Sequence, residues 1–275
     1  MTDKELFELG KKSINSNEPD TDALILFEYV TNKDRNELYL YPEAQERDEV
    51  VSKYLELIER RNTGEPVQYI TGKTFFYGLE FMCVKDTLIP RFDTEVLVEE
   101  AIKTVPKEAK VLDLCTGTGS IIIALKKNRG DIKAKGSDIS DKAIECAKDN
   151  SNRNKCDVEF LISDMFKNID DKFDCIISNP QYIEKKVIDE LDVTVKEYEP
   201  ITALSGGEDG LDFYRIIAKE SPRYLNEEGM LLLEIGYDQG ESVSALLSKE
   251  GFNRIKVIKD LNGLDRVIEA VFGGK

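Results

Sequence analysis

Asn179, Pro180, Gln181 and Tyr182 follow directly on the run Cys175-Ile176-Ile177-Ser178. An Asn-Pro pair after a strand is commonly just a turn. It also sets two oxygen acceptors side by side, the Asn179 side-chain carbonyl and the Pro180 backbone carbonyl. Two acceptors on the hydrogens of a planar amino group pull its nitrogen toward tetrahedral geometry. They also stabilise the positive charge that grows on it during attack on an electrophile. Orientation and fixed dipoles of this kind lower a barrier without any strong base. The ring of Tyr182 can pack on the planar group.

A second constellation lies upstream, in Asp113-Leu114-Cys115-Thr116-Gly117-Thr118-Gly119-Ser120. Closely spaced glycines between a strand and a helix let backbone approach a ligand. The third glycine of GxGxxG is missing, so a dinucleotide pyrophosphate fits poorly. The next apolar segment ends in Ser137-Asp138-Ile139, where an acidic side chain accepts hydrogen bonds from a ribose diol. The following one ends in Ser163-Asp164-Met165-Phe166. Asp164 there could accept from an adenine amino group, with Met165 or Phe166 against the ring. Asp113, Gly117, Gly119 and Asp138 together describe a nucleoside pocket without a phosphate clamp. S-adenosylmethionine is such a ligand, and its sulfonium cation suits carboxylates. The plainer alternative is a glycine turn followed by a helix-capping aspartate.

The elements that would position these residues alternate. Strands are expected at Lys110–Leu114, Ile132–Ser137, Val158–Ser163, Phe173–Ser178, Met230–Ile235, Arg254–Lys259 and Val267–Phe272. Helices are expected at Thr94–Thr104, Ser120–Asn128, Asp141–Asn152, Leu211–Leu225 and Gln239–Lys249. Such a rhythm predicts an α/β domain with a doubly wound parallel sheet and its ligand at the carboxyl ends of the strands. Before it, residues 1–65 read as helical, with apolar residues from Ala23 to Val30 and a helix from Pro42 or Glu43 to Arg61. Residues 66–90 carry breakers and aromatic, β-branched stretches at Val67–Thr71 and Thr74–Val84, the pattern of a β-hairpin connector. The third division is 91–275. Gly206, Gly207 and Gly210 predict either a flexible loop near the site or a plain turn before the next helix.

Composition narrows the chemistry. Among 275 residues there is no histidine and no tryptophan, which removes histidine-dependent nucleophile schemes and histidine-ligated metals. No metal site is expected. With 38 Lys+Arg against 54 Asp+Glu, the net charge of −16 argues against a phosphate-backbone binder. Five cysteines without CxxC spacing predict a reduced, cytoplasmic protein. No apolar run is long enough to span a membrane.

Asn-Pro-Gln-Tyr resembles the Asn-Pro-Pro-Tyr signature of methyltransferases acting on planar amino nitrogens. Nearly the whole chain resembles the bacterial protein-(glutamine-N5) methyltransferases of peptide-chain release factors, the PrmC or HemK family. The matching stretches are 64–72, Leu88-Ile89-Pro90-Arg91-Phe92-Asp93-Thr94-Glu95, Val111 to Gly119 and Ser178 to Ile183. Glu199-Pro200, Gly207 to Tyr214 and Leu233-Glu234-Ile235-Gly236 also match. The resemblance implies a helical N-terminal domain that helps hold the partner, a hairpin connector, and a seven-stranded class I methyltransferase domain. It implies S-adenosylmethionine at Asp113, Cys115, Thr116, Gly117, Thr118, Gly119, Asp138, Asp164, Met165 and Asn179. It further implies that Asn179, Pro180 and Tyr182, with Gln181 beside them, receive the glutamine amide of the Gly-Gly-Gln tip of class I release factors. A monomer is expected.

Two residues depart from the family pattern. Cys115 stands where glycine is usual and is small enough to keep the turn. Gln181 replaces a proline that would aim the Pro180 carbonyl, so the loop is expected to be less preorganised while both acceptors remain. Alternatively, the Gln181 amide folds into the acceptor pocket and mimics the substrate. Arg91 and Glu95, four residues apart, are expected either to orient the loop over the donor or to form a surface ion pair. Ribosomal-protein glutamine methylation, adenine-N6 methylation, and a cofactor-binding protein without activity stay open as alternatives.

Overall fold

The computed structural model describes residues 1–273 and divides into two compact units, 1–73 with 192–198, and 74–191 with 199–273. In the first unit α1 (Asp3–Ser13), α2 (Pro19–Thr31), α3 (Arg35–Leu40) and α4 (Asp48–Asn62) surround a core of Leu6, Leu26, Phe27, Tyr54 and Leu57. Capping boxes open α1 (Thr2 with Glu5) and α3 (Asp34 with Glu37), satisfying backbone donors that a helix start leaves free. The expected long helix begins later than Pro42, at Asp48. Lys33 Nζ bridges Asp3 and Glu46 at 2.6 Å each, giving the buried Asp3 carboxylate a partner.

Val67–Thr71, expected to be extended, is instead one helical turn, α5, ended by Gly72 at φ +73°. Val67, Tyr69 and Ile70 are buried together, and the Thr71 hydroxyl donates to the Val67 carbonyl at 2.8 Å. Burial thus overrides the strand preference of the β-branched residues. The hairpin is correspondingly short, β1 (Lys73–Phe76) and β2 (Leu79–Met82).

The second unit holds α6 (Glu95–Thr104), β3 (Lys110–Leu114), α7 (Ser120–Asn128), β4 (Lys133–Asp138), α8 (Asp141–Arg153), β5 (Val158–Ile162) and β6 (Phe173–Ser178). After a short α9 (Lys185–Ile188), the turn α10 (Val193–Lys196) belongs to the first unit, where the Tyr198 hydroxyl donates to the Thr63 carbonyl at 3.0 Å. Then come α11 (Asp212–Glu220), β7 (Leu225–Glu234), α12 (Gly240–Lys249), β8 (Phe252–Lys259) and β9 (Asp265–Phe272). The strand order is β5-β4-β3-β6-β7-β9-β8.

The sheet is not wholly parallel: β9 runs antiparallel to both β7 and β8. Only residues 260–264 join β8 to β9, too few for the crossover that parallel neighbours require. Apolar clusters cover both faces, one with Val111, Ile122 and Ile177, the other with Leu112, Ile176 and Leu231. From β3 the chain winds outward through β4 and β5, then returns to place β6 on the other side. Such a switch point opens a crevice at the carboxyl ends of the strands.

Gly10, in α1, faces Tyr54, and a Cβ there would overlap the Tyr54 hydroxyl that donates to the Ala23 carbonyl at 3.0 Å. Gly10→Ala is therefore expected to destabilise the helical unit by about 1–3 kcal/mol through overpacking. Thermal unfolding would show it as a lowered Tm; an unchanged or raised Tm would contradict this packing.

Candidate active site

Leu114 lies in register with Ser137 on one side and Ser178 on the other. The next residues, Cys115, Asp138 and Asn179, therefore emerge on one level at the edge of the crevice. The Ser178 hydroxyl donates to the Leu114 carbonyl at 2.7 Å, and the Thr116 N–H donates to the Ser137 carbonyl at 2.9 Å, tying the exits together.

The turn from β3 to α7 has three left-handed residues, Cys115 (φ +57°), Gly117 (φ +55°) and Gly119 (φ +78°). At Gly119 a Cβ would stand 2.9 Å from Ile123 Cδ1 and 3.1 Å from Ala147 Cβ, so glycine permits the close packing of α7 and α8. Asp138 fastens the turn: its Oδ2 accepts from the Gly117 N–H at 2.9 Å and its Oδ1 from the Ser140 N–H at 3.0 Å. Asp113 lies beneath the turn, fully buried, with the Thr116 hydroxyl donating to it at 2.5 Å. Burial first, and the nearby Asp138 charge second, push the Asp113 carboxyl up to about 8 against the Thr116 hydrogen bond. Burial also raises Asp138 and the Cys115 thiol.

A cavity of about 270 Å³ opens above these exits, its wall including Cys115, Asp138, Asp164, Met165, Gln181 and Phe213. Of the residues expected at the donor, Cys115, Asp138, Asp164 and Met165 face this space, while Asp113 supports the turn from below. Phe166 points elsewhere, into the core, stacked on Tyr224 with ring centroids 4.7 Å apart. Asp164 is ion-paired with Lys167.

Asn179 is half-buried, and its Nδ2 donates to the Thr94 hydroxyl at 3.2 Å. The Tyr182 hydroxyl donates to Glu234 Oε1 at 3.3 Å, and the Tyr182 carbonyl accepts from Gln239 Nε2 at 3.0 Å. Gln181 lines the cavity, and its Oε1 is buried with no hydrogen-bond partner among the described residues. Behind this loop, Gly206 donates its N–H to the Ile183 carbonyl at 2.9 Å. A Cβ at Gly206 would lie 2.8 Å from the Gln181 carbonyl, and one at Gly210 would overlap the Tyr182 carbonyl. These glycines thus serve close backbone packing.

Arg91 and Glu95 do not pair with each other. Arg91 is ion-paired with the buried Glu199, whose other oxygen accepts from the Ile89 N–H at 3.4 Å. Glu95 Oε1 accepts from the Tyr77 N–H at 2.7 Å. Helical spacing brings two side chains within reach, yet a buried carboxylate binds the guanidinium more strongly than one partly exposed. Thr94, Glu234 and Gln239 escaped notice as site residues. The first two lie in stretches shared with the resembled family, and that was their only signal.

Residues 7–72 match the PrmC N-terminal domain, and residues 91–196 match the methyltransferase small domain. The chain is 40% identical to the release factor glutamine methyltransferase of Agrobacterium fabrum, over 91% of this chain and 90% of that one. It is 41% identical to that of Clostridium acetobutylicum, over 92% and 91% of the two chains. The chain belongs to the release factor glutamine methyltransferase family. Its fold is similar to a methyltransferase from Pyrococcus furiosus, with a TM-score of 0.56 at 17% identity, covering 72% of this chain and 91% of the other. Among the described residues no helix is long and apolar enough to cross a membrane, and no acidic or cysteine cluster could hold a metal ion.

Two outcomes follow from the turn. Cys115→Gly relieves a left-handed backbone that costs an L-residue about 1–2 kcal/mol; it is expected to raise stability by about 1 kcal/mol in denaturant unfolding. A loss of stability would show that the side chain's packing outweighs the strain. A carboxyl raised on folding, such as Asp113, binds its proton more tightly folded than unfolded. The stability this gives is present at low pH and is lost as pH rises from the ordinary carboxylate range through about 8. The Tm of the ligand-free protein is expected to fall across that window, and Asp113→Asn to flatten the fall; an equally steep fall in the variant would contradict the assignment.

Proposed function

We propose that this chain transfers a methyl group from S-adenosylmethionine to the side-chain amide nitrogen of the Gly-Gly-Gln glutamine of class I release factors, and so tunes translation termination. The observation that carries this reading is the Asn179–Thr94 hydrogen bond, in the loop whose Gln181 lines the donor cavity. It occupies the Asn179 nitrogen and leaves Oδ1 as an acceptor, next to the carbonyl of Pro180.

The cavity suits the donor chemically. Asp138, in the cavity wall, would accept from a ribose diol, and Asp164 and Met165, at the neighbouring exit, would meet the adenine. When bound, S-adenosylmethionine supplies a methyl group activated by its sulfonium charge. Asn179 Oδ1 and the Pro180 carbonyl would accept from the two amide hydrogens of the glutamine, fixing its nitrogen in line and stabilising the charge growing on it. Tyr182 would pack on the amide plane. With no histidine in the chain, the surplus proton would pass to water once the new N–C bond has formed.

The helical region, residues 1–65, would hold the release factor, with 66–90 as a connector and 91–275 as the catalytic part. The enzyme would act in the cytoplasm as a monomer without touching nucleic acid, and its net charge of −16 supports the last point.

Mass spectrometry of a class I release factor incubated with the enzyme and S-adenosylmethionine is expected to show one added methyl on that glutamine. Asn179→Ala is expected to lower kcat by about 10²–10³-fold while the donor's Kd stays nearly constant, as for a lost transition-state acceptor. A donor Kd rising as steeply as kcat falls would reassign Asn179 to cofactor binding.

A further inference from the structure

On the far side of β6 from the donor cavity, the strand ends carry apolar side chains in the open. Ser178 is in register with Leu233, Glu234 with Val267, and Lys259 with Asp265. The acceptor loop after β6, the loop after β7 and the loop joining β8 to β9 therefore leave the sheet at the same end. Tyr237 stands on the second of these, 64% exposed, and Leu261 on the third, fully exposed. Phe92, two residues before Thr94, is 78% exposed. A single exposed apolar residue needs no explanation, but a group of them beside a site does.

All three segments are braced. Gln239 Oε1 accepts from the Gly236 N–H at 2.9 Å, and its Nε2 donates to the Tyr182 carbonyl at 3.0 Å, fastening the Tyr237 turn to the acceptor loop. Asp260 Oδ1 accepts from the N–H groups of Asn262 and Leu264 at 2.9 and 3.0 Å, closing the turn that carries Leu261. Arg266 joins Asp260 to Asp93, both at 3.1 Å, and Thr94, beside Asp93, meets Asn179. The apolar tips are thus held in place relative to the acceptors.

We propose that Phe92, Tyr237 and Leu261 form a docking rim for the substrate polypeptide, gripping apolar side chains within about four residues of the target glutamine. This rests on the glutamine-methylating reading given above. A glutamine that belongs to a protein brings its neighbours, and they must leave the crevice over one edge. The donor cavity takes the side of β3, β4 and β5, with Cys115, Asp138 and Asp164 in its wall. The rim lies on the other side, where the strand order runs β6-β7-β9-β8. Three steps between neighbouring strands make about 14 Å, which an extended chain spans in about four residues. Two aromatic rings and a leucine offer on the order of 500 Å² of contact, below the roughly 800 Å² per partner of a stable interface. That suits a substrate released after each turnover better than a second copy of this chain.

The experiment compares the wild type with Phe92→Ser, Tyr237→Ser and Leu261→Ser, singly and together. It measures kcat and KM for a class I release factor, Kd for S-adenosylmethionine, Tm and molar mass in solution. Each single change is expected to raise KM about tenfold, as for one lost apolar anchor, and the triple variant to raise it further. The kcat at saturation, the donor Kd and the Tm are expected to hold, and Leu261→Met to keep a near wild-type KM. A triple variant with wild-type KM overturns the proposal. A fall in kcat at unchanged KM overturns it too, since the loops would then serve to hold the acceptors. So does a wild-type dimer that the triple variant turns into a monomer, because a second copy would then cover the rim. A wild-type enzyme that leaves the glutamine unmethylated overturns the proposed function instead, and mass spectrometry of that one sample separates the two failures.

Discussion

The register of β3 against both its neighbours is the constraint on which the site depends. Leu114 sits opposite Ser137 and Ser178 at once, so three strand exits share a level. A slip of one residue in a parallel ladder would turn every side chain of that strand to the other face. Here the strands are buried on both faces, and such a slip would exchange the members of two separate apolar clusters. Core packing thus sets the axial position of Cys115, Asp138 and Asn179. The Ser178–Leu114 and Thr116–Ser137 hydrogen bonds extend that control past the last paired residues.

Around this level the protein buries carboxylates that would be easier to keep in water. Asp113, Asp138 and Glu234 are all raised by burial. Burying a charge is unfavourable unless hydrogen bonds or opposite charges compensate. Asp138 is compensated by two backbone N–H groups, and Glu234 by the Tyr182 hydroxyl and the nearby Arg266 charge. Asp113 accepts from the Thr116 hydroxyl, and its Oδ1 is without a partner among the described residues. A sulfonium cation in the cavity would favour the ionised form of Asp138, which stands in its wall.

Much of this was legible in the sequence, because the second unit builds its elements from local signals that agree with the packing. Lys110–Leu114, Ser120–Asn128 and Phe173–Ser178 occupy the expected spans to the residue. Their apolar runs and flanking breakers leave no competing assignment. Val67–Thr71 was not legible, since its strand-like composition is overruled by neighbours in the helical core that local sequence does not name. Side-chain pairings were the least legible. Spacing offered Glu95 to Arg91, whereas Arg91 finds Glu199, more than a hundred positions away. Thr94 and Glu234 failed to stand out for the same reason: each is ordinary in its own element, and only the fold brings them to Asn179 and Tyr182.

The substitution of Gln181 for the family's second proline is best judged by what holds the loop on either side. Asn179 is tied to Thr94 before it, and Tyr182 to Glu234 and Gln239 after it. Only the peptide units of Pro180 and Gln181 lie between these anchors, and Gly206 presses its backbone against the Gln181 carbonyl. A proline at a compatible position acts mainly by restricting the unfolded chain, an effect of about 0.4–1 kcal/mol. That is no larger than one ordinary hydrogen bond, and three already brace this loop. The direction of the Pro180 carbonyl is therefore set by tertiary contacts, and the proline would add definition to a loop whose geometry is already imposed. Gln181 instead brings into the cavity wall a buried carbonyl oxygen with no partner among the described residues. Such an oxygen is unfavourable in an apolar surrounding and favourable beside a cation.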